Sequence, residues 1–338
     1  MANALATANT HMAETGLAAG VHIVPLMPAA DVIAIAIEAE RLGYDYCLIA
    51  DEGFHPDVYV SLGAIARETS HIKLGVMTNP YTRHPAATAN ALATVDALAP
   101  GRVVGTLLAG GSMVLAPMGI DRIRPFRRMT DAVQIARTLW TGQLASVDGQ
   151  TASVVDARLG SGAADVELWI AGRGPLVLGL AGREADGVIF TVKPDLAGAI
   201  AEVERAVPAG RPHPKRMYLG RICYTPAMLE AQKLTLSYVL MDSPERALDA
   251  LGFGADQVAV ILEAAQTGNA AAVDPLVTDD LLHRYQVAGT PAQCAAEVAA
   301  MAAQHDLHAI HIDALSADLD ENLSIIENSL PIIKGTPK

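Results

Sequence analysis

Aromatic residues make up only 4% of this 338-residue chain, with two tryptophans and four phenylalanines. So thin a supply argues against a nucleic-acid stacking platform and against a β-sandwich. Basic residues are short as well: 24 Lys and Arg face 37 Asp and Glu, for a formal net charge of −13. A surface of that sign repels phosphate backbones, which disfavours DNA and RNA as partners. The three cysteines, Cys47, Cys223 and Cys294, are too few for a disulfide framework and lack the spacing of a zinc module. No apolar run approaches the ~20 residues of a membrane-spanning helix. The N-terminal MANALATANTHM has neither the basic nor the apolar region of a signal peptide. Residues 1–19 are therefore expected to be a disordered leader or tag, residues 20–338 a single domain, and the protein cytoplasmic.

What the chain does have is core-forming material, 51% of its residues being hydrophobic. From Gly20 onward, short β-branched runs alternate with longer Ala- and Leu-rich helical stretches. GVHIVP reads as a first strand, followed by a helix capped by Asp31 and ended by Gly43. YDYCLIAD, HIKLGVMT, GRVVGTLLAGG, DVELWIAGRG, DGVIFT, MYLGRICYT and LHAIHIDAL complete a set of eight strands. These strands are continuously apolar rather than alternating, which marks a parallel sheet covered on both faces. Eight is the number that closes a barrel. The expected fold is an α/β (β/α)8 TIM barrel with insertions after strands 4 and 7.

In such a barrel the chemistry sits at the carboxyl ends of the strands. The residues that end them are His22, Asp51 and Glu52, Thr78 and Asn79, Gly110 and Gly111, Ala171 to Gly174, Thr191, Arg221, and His311 to Asp313. IAGRGP, running straight into a helix with Pro175 at its start, is a candidate phosphate cradle built from backbone amides. His308 and His311, three apart on a strand, should face opposite ways, and no histidine has metal-ligand spacing with a partner carboxylate; no metal is expected.

The segments ADEGFHPDVY, HIKLGVMTNPYTRHPAATANALATVDALAPGR, ELWIAGRGPLVLGLAGREADGVIF, SYVLMDSP and VTDDLLHRYQVAGTPAQCAAEVAAM occur in an order that resembles the bacterial-luciferase-like superfamily, in its branch containing methylenetetrahydromethanopterin reductase. That resemblance implies the deazaflavin coenzyme F420 as cofactor, with FMN, used by the superfamily's monooxygenases, as the alternative. It implies that Asp51 faces the deazaflavin ring and that Gly75 and Val76 form a cis-peptide bulge bracing the ring from behind. Thr78 and Asn79 would lie at the ring edge. Ala171, Gly172, Arg173 and Gly174, with Thr191 nearby, would hold the phosphate.

Three positions depart from the family pattern. The first-strand acid is replaced by His22, the Asp-His after strand two by Asp51-Glu52, and the acid ending the strand-four loop by Gly111. A histidine and a buried glutamate both transfer protons near neutrality, so His22 and Glu52 are expected to pair and supply the proton that accompanies a hydride. The expected activity is F420-dependent hydride transfer to or from a C=N, C=C or C=O group of a small molecule. The alternatives are an FMN-dependent monooxygenase and a non-catalytic flavin-binding homologue. The Ala-rich helices DVYVSLGAIARET and HPAATANALATVDAL suit close packing across a two-fold axis, so a homodimer is expected.

Overall fold

In the computed structural model, which describes residues 16–335, eight parallel strands close on themselves. They are β1 (Ala18–Ile23), β2 (Tyr46–Ala50), β3 (Lys73–Thr78), β4 (Val103–Leu107), β7 (Val166–Ala171), β8 (Gly187–Phe190), β9 (Lys215–Leu219) and β12 (Ala309–Ala314). β1 pairs with both β2 and β12, which seals the ring. Helices α1 (Ala29–Leu42), α2 (Val58–Glu68), α3 (Pro85–Leu98), α5 (Pro125–Trp140), α6 (Pro175–Glu184), α7 (Leu196–Ala206), α13 (Pro291–His305) and α14 (Leu319–Lys334) follow the strands in turn and cover the outside.

Both insertions occur where the sequence places them. After β4 come a four-residue helix, α4 (Ser112–Leu115), and, beyond α5, a hairpin of β5 (Ala145–Val147) and β6 (Val154–Ala157). After β9 comes β10 (Ile222–Cys223), then α8 (Pro226–Glu230), α9 (Lys233–Met241), α10 (Glu245–Ala250), α11 (Ala255–Thr267) and α12 (Asp279–Tyr285), then β11 (Val287–Ala288), which pairs with β10. This second insertion has its own apolar core, built on Leu240, Leu248, Leu251 and Ile261, separate from the barrel's.

Strand interiors alternate between two cores, as a closed parallel sheet demands. Val21, Cys47, Leu74 and Ile170 face the helices. Tyr46, Leu48, Met77, Val104, Trp169 and Met217 fill the barrel. Three local expectations change. β1 starts at Ala18, so the expected leader loses residues 18–19 to the barrel; residues 1–15 lie outside the described residues. α1 is capped by Pro28, not Asp31; the carboxylate of Asp31 lies in the first turn, where it still meets the positive end of the helix.

The third change concerns Gly75 and Val76. No cis peptide occurs among the described residues, and β3 pairs without interruption with β2 and β4, so there is no bulge. Glycine is needed at 75 for packing instead. A Cβ there would lie 2.5 Å from both Leu48 Cδ2 and the Val104 carbonyl oxygen.

Candidate active site

The carboxyl ends of the barrel strands open into one cavity of about 740 Å³. His22, Asp51, Glu52, Asn79, Gly110, Gly111, Ala171 to Gly174, Thr191, Arg221 and Asp313 all line it. Strand-end reasoning therefore finds part of this wall. It misses the part contributed by the second insertion, including Gln232, Val239, Asp242 and Ser243. Thr78 is buried just behind the wall, while Gly75 and Val76 lie deeper in β3 and do not reach the cavity.

At one end of the cavity stands a cluster of proton-handling groups. His22 Nδ1 lies 2.7 Å from Asp313 Oδ1, and Asp313 Oδ2 lies 3.5 Å from Arg221 Nε. This corrects the expected His22–Glu52 pair. Asp313 is the direct register partner of His22 across β1 and β12, whereas β2 presents Leu48 opposite His22 and Glu52 only beyond its end. Burial pushes the Asp313 carboxyl up, but the His22 and Arg221 bonds outweigh it and hold the group below the usual carboxylate range. Asp313 is thus ionised, which makes His22 Nδ1 the donor and leaves Nε2 buried without a protein partner. Arg221 is itself fixed, with Nη1 donating to Gln232 Oε1.

Glu52 has a different environment. Burial raises its pKa, and the nearby His22 and His55 only partly counter this. It thus keeps a proton to higher pH than an exposed glutamate does. Asp51 is tied down instead: Thr78 Oγ1 donates to its Oδ2 at 2.6 Å, joining the ends of β2 and β3. Asn79 Oδ1 accepts from the backbone amides of Tyr81 and Thr82, which shapes the turn after β3.

At the other end, the β7–α6 turn runs through Ala171, Gly172, Arg173 and Gly174 into an α6 N-terminus with no side-chain cap. Its first amides are free for an anion, and the helix dipole favours one there. A Cβ at 172 would come within 2.6 Å of Val177 Cγ1, so the turn closes only on glycine. Arg173 Nε donates to Thr191 Oγ1 at 2.9 Å, and Nη1 donates to the Val239 carbonyl at 3.0 Å and to Ser243 Oγ at 3.2 Å. Arg246, on α10, reinforces the turn from behind. Its guanidinium pairs with buried Asp195 at 2.7 Å and donates to the Arg173 carbonyl at 3.1 Å.

The glycine at 111 also has a neighbour. Asp242 Oδ2 accepts from Ser112 N at 3.0 Å and Ser112 Oγ at 3.1 Å, and lies 3.4 Å from where a Cβ at 111 would stand. A carboxylate therefore reaches the strand-four loop from the insertion, although position 111 carries none. His308 precedes β12, and it meets the same Tyr46 that His311 packs against, so the two do not face apart as expected.

Titratable groups at one end and an anion cradle at the other fit a barrel enzyme that works through a phosphate-bearing coenzyme. The family model described as luciferase-like monooxygenase matches residues 4–306, and the chain belongs to that family. Its curated relatives include the 5,10-methylenetetrahydromethanopterin reductase of Archaeoglobus fulgidus, 28% identical over 285 residues, covering 80% of this chain and 86% of that protein. The F420-dependent glucose-6-phosphate dehydrogenase of Beutenbergia cavernae is 34% identical over 175 residues, 48% of this chain and 52% of that protein. Among solved structures, the coenzyme F420-dependent tetrahydromethanopterin reductase of Methanopyrus kandleri superposes with a TM-score of 0.76 at 22% identity, covering 93% of this chain and 97% of that one. No helix among the described residues is long and apolar enough to cross a membrane.

Proposed function

We propose that this protein is a coenzyme F420-dependent oxidoreductase that reduces or oxidises a C=N, C=C or C=O group of a small organic substrate. The observation that carries this reading is the single cavity joining the uncapped α6 N-terminus and Arg173 to the His22, Asp51 and Glu52 cluster. Relatives named for F420 use support it. The unpartnered His22 Nε2 and the Gly172 turn match what a phosphate-bearing ring coenzyme requires of its host.

Bound there, the deazaflavin supplies or takes up the hydride. The residues of the chain do the rest. Ala171 to Gly174 present backbone amides to the phosphate, and Arg173 adds charge whose direction Thr191 and Ser243 fix. Asp51, held by Thr78, gives the ring end a fixed carboxylate. Glu52, whose pKa burial raises, donates the proton to the atom of the C=N, C=C or C=O group that does not take the hydride, and in the oxidising direction takes it back. His22 is held in one orientation by Asp313 and lines the cavity beside Glu52. On the same reading the chain works as a homodimer packed through α2 and α3, seen by light scattering as twice the mass of one chain.

Titrating the purified protein with F420 and with FMN, by fluorescence quenching and thermal shift, tests the reading. Saturable binding of F420 with little response to FMN is expected. Tighter binding of FMN would make the protein a flavin-dependent member of the family. Binding of neither would leave a non-catalytic barrel.

A further inference from the structure

Four of the chain's 24 basic residues, Arg122, Arg124, Arg127 and Arg128, fall within seven positions. In a protein of net charge −13 this concentration is unusual, and the fold makes little use of it. None of the four forms an ion pair among the described residues, whereas arginines elsewhere, such as Arg137, Arg216 and Arg246, do. Arg128 stacks over the Tyr81 ring at 4.5 Å and donates to the Pro80 carbonyl, which fastens the segment to the turn after β3. Tyr81 returns a bond to the Ile123 carbonyl at 2.9 Å. Arg122 Nε donates to the Ala109 carbonyl at 3.1 Å. Arg124 and Arg127 are exposed, and their guanidinium groups make no hydrogen bond among the described residues.

The acidic residues nearest in sequence do not neutralise the group. Asp121 is exposed and pairs with none of the four, and Asp131 is buried and taken up by the Thr151 amide and hydroxyl. Four like charges repel, and the positive end of the α5 dipole lies beside them, so beyond the contacts of Arg122 and Arg128 their clustering costs the fold stability. Their location is what gives them a use. Arg122, Pro125 and Phe126 line the active-site cavity, as do Pro175 and Leu176 of the anion cradle. Arg122 thus borders the cavity, and the exposed Arg124 and Arg127 continue its charge onto the adjoining surface.

We propose that Arg122, Arg124 and Arg127 form a docking strip for a polycarboxylate chain that leaves the cavity. Resting on the coenzyme reading above, this chain is the oligoglutamyl tail that F420 carries beyond its phosphodiester. The chain carries a net charge of −13, so a local positive rim helps a polyanionic coenzyme approach and stay. The strip adds affinity in proportion to the number of carboxylates, without touching the ring.

The test compares F420 bearing short and long glutamyl tails with the deazaflavin riboside, which has neither phosphate nor tail. Each is titrated against the wild type and an R122Q/R124N/R127Q variant, asparagine being chosen at 124 because that residue has a left-handed backbone (φ 51°). Far-UV circular dichroism and thermal unfolding verify that the variant folds, and R122K/R127K keeps the charge as a control. In the wild type, affinity should rise with tail length and fall as salt is raised to ~0.3 M. The variant should lose roughly tenfold for the long-tailed coenzyme and nothing for the riboside, with both salt and length dependence flattened. The lysine control should retain most of the affinity. Equal binding of the long-tailed coenzyme by wild type and variant would overturn the strip while leaving the coenzyme reading intact. That is also the result expected if the arginines serve an anionic substrate. Failure of the wild type to bind any deazaflavin would overturn both.

Discussion

Glu52 and His22 occupy one cavity, yet their surroundings push them toward different tasks. His22 is clamped by Asp313, which Arg221 in turn holds ionised, so the imidazole is fixed in place. Glu52 accepts no comparable bond, and burial raises its pKa. A raised carboxyl pKa moves the group toward the range in which it can act as a general acid. Glu52→Gln should therefore lower turnover on an identified substrate by ~10²–10⁴-fold while coenzyme affinity changes little, the range general acid catalysis usually supplies. Full turnover by the variant would assign the proton to solvent or to the substrate. The carboxylate that orients His22 comes from β12, nearly 300 positions away in sequence. From sequence, Asp313 is only one of many strand ends, and the adjacency of the first two strands points His22 to Glu52 instead of to its partner on β12. Register decides it: β12 lies beside β1 as closely as β2 does.

At the scale of elements, the alternation of apolar strands and Ala-rich helices made the barrel and both insertions legible. Buried parallel strands have a strong compositional signature, and strand ends follow from strand positions. The inner and outer faces of each strand were much less legible. The resemblance implies a bulge at Gly75, whereas the glycine makes room for Leu48 of β2 and the Val104 carbonyl of β4, a matter of neighbours distant in sequence. The insertion wall is not legible, since Asp242 and Ser243 sit in the turn between α9 and α10, and Arg246 on α10, in a unit whose docking no periodicity announces. β12 shows a further consequence of an inward stripe. It carries His311 into the barrel interior, where burial drives the imidazole pKa down to about 3, with His22 and His308 adding to the effect and Asp313 opposing it. The folded state leaves His311 neutral, while the unfolded chain binds a proton below its ordinary pKa of ~6.5. The contribution of His311 is therefore fully present above that value and is lost as pH falls from there toward about 3. His305 and His308, both lowered, act in the same sense. Denaturant melts across this window should show stability falling as pH drops. His311→Leu should reduce the slope by about one proton, or ~1.4 kcal/mol per pH unit. An unchanged slope would mean that His311 is protonated inside the barrel.

Taken whole, the molecule has a barrel core and an insertion core, which Val192, Ile222 and Val287 link by apolar packing and which meet around the cavity through polar contacts as well. Asp242 receives Ser112, Arg173 reaches Val239 and Ser243, Arg221 reaches Gln232, and Arg246 grips Asp195. Each such contact contributes only about 1 kcal/mol net, so the insertion can open without dismantling the barrel. A ligand in the cavity touches walls from both units and adds its binding energy to the joint. At a free concentration of 100 times Kd that addition is about 2.7 kcal/mol, provided only the closed form binds. Hydrogen exchange should accordingly show amides of α9 to α11 exchanging faster than those of α2 and α3 in the free protein. Saturating F420 should slow the insertion far more than α2 and α3, which pack away from the cavity. If the insertion exchanges as slowly as the barrel before ligand is added, the two cores unfold as one unit. The polar joint around the cavity is then as strong as a shared apolar core.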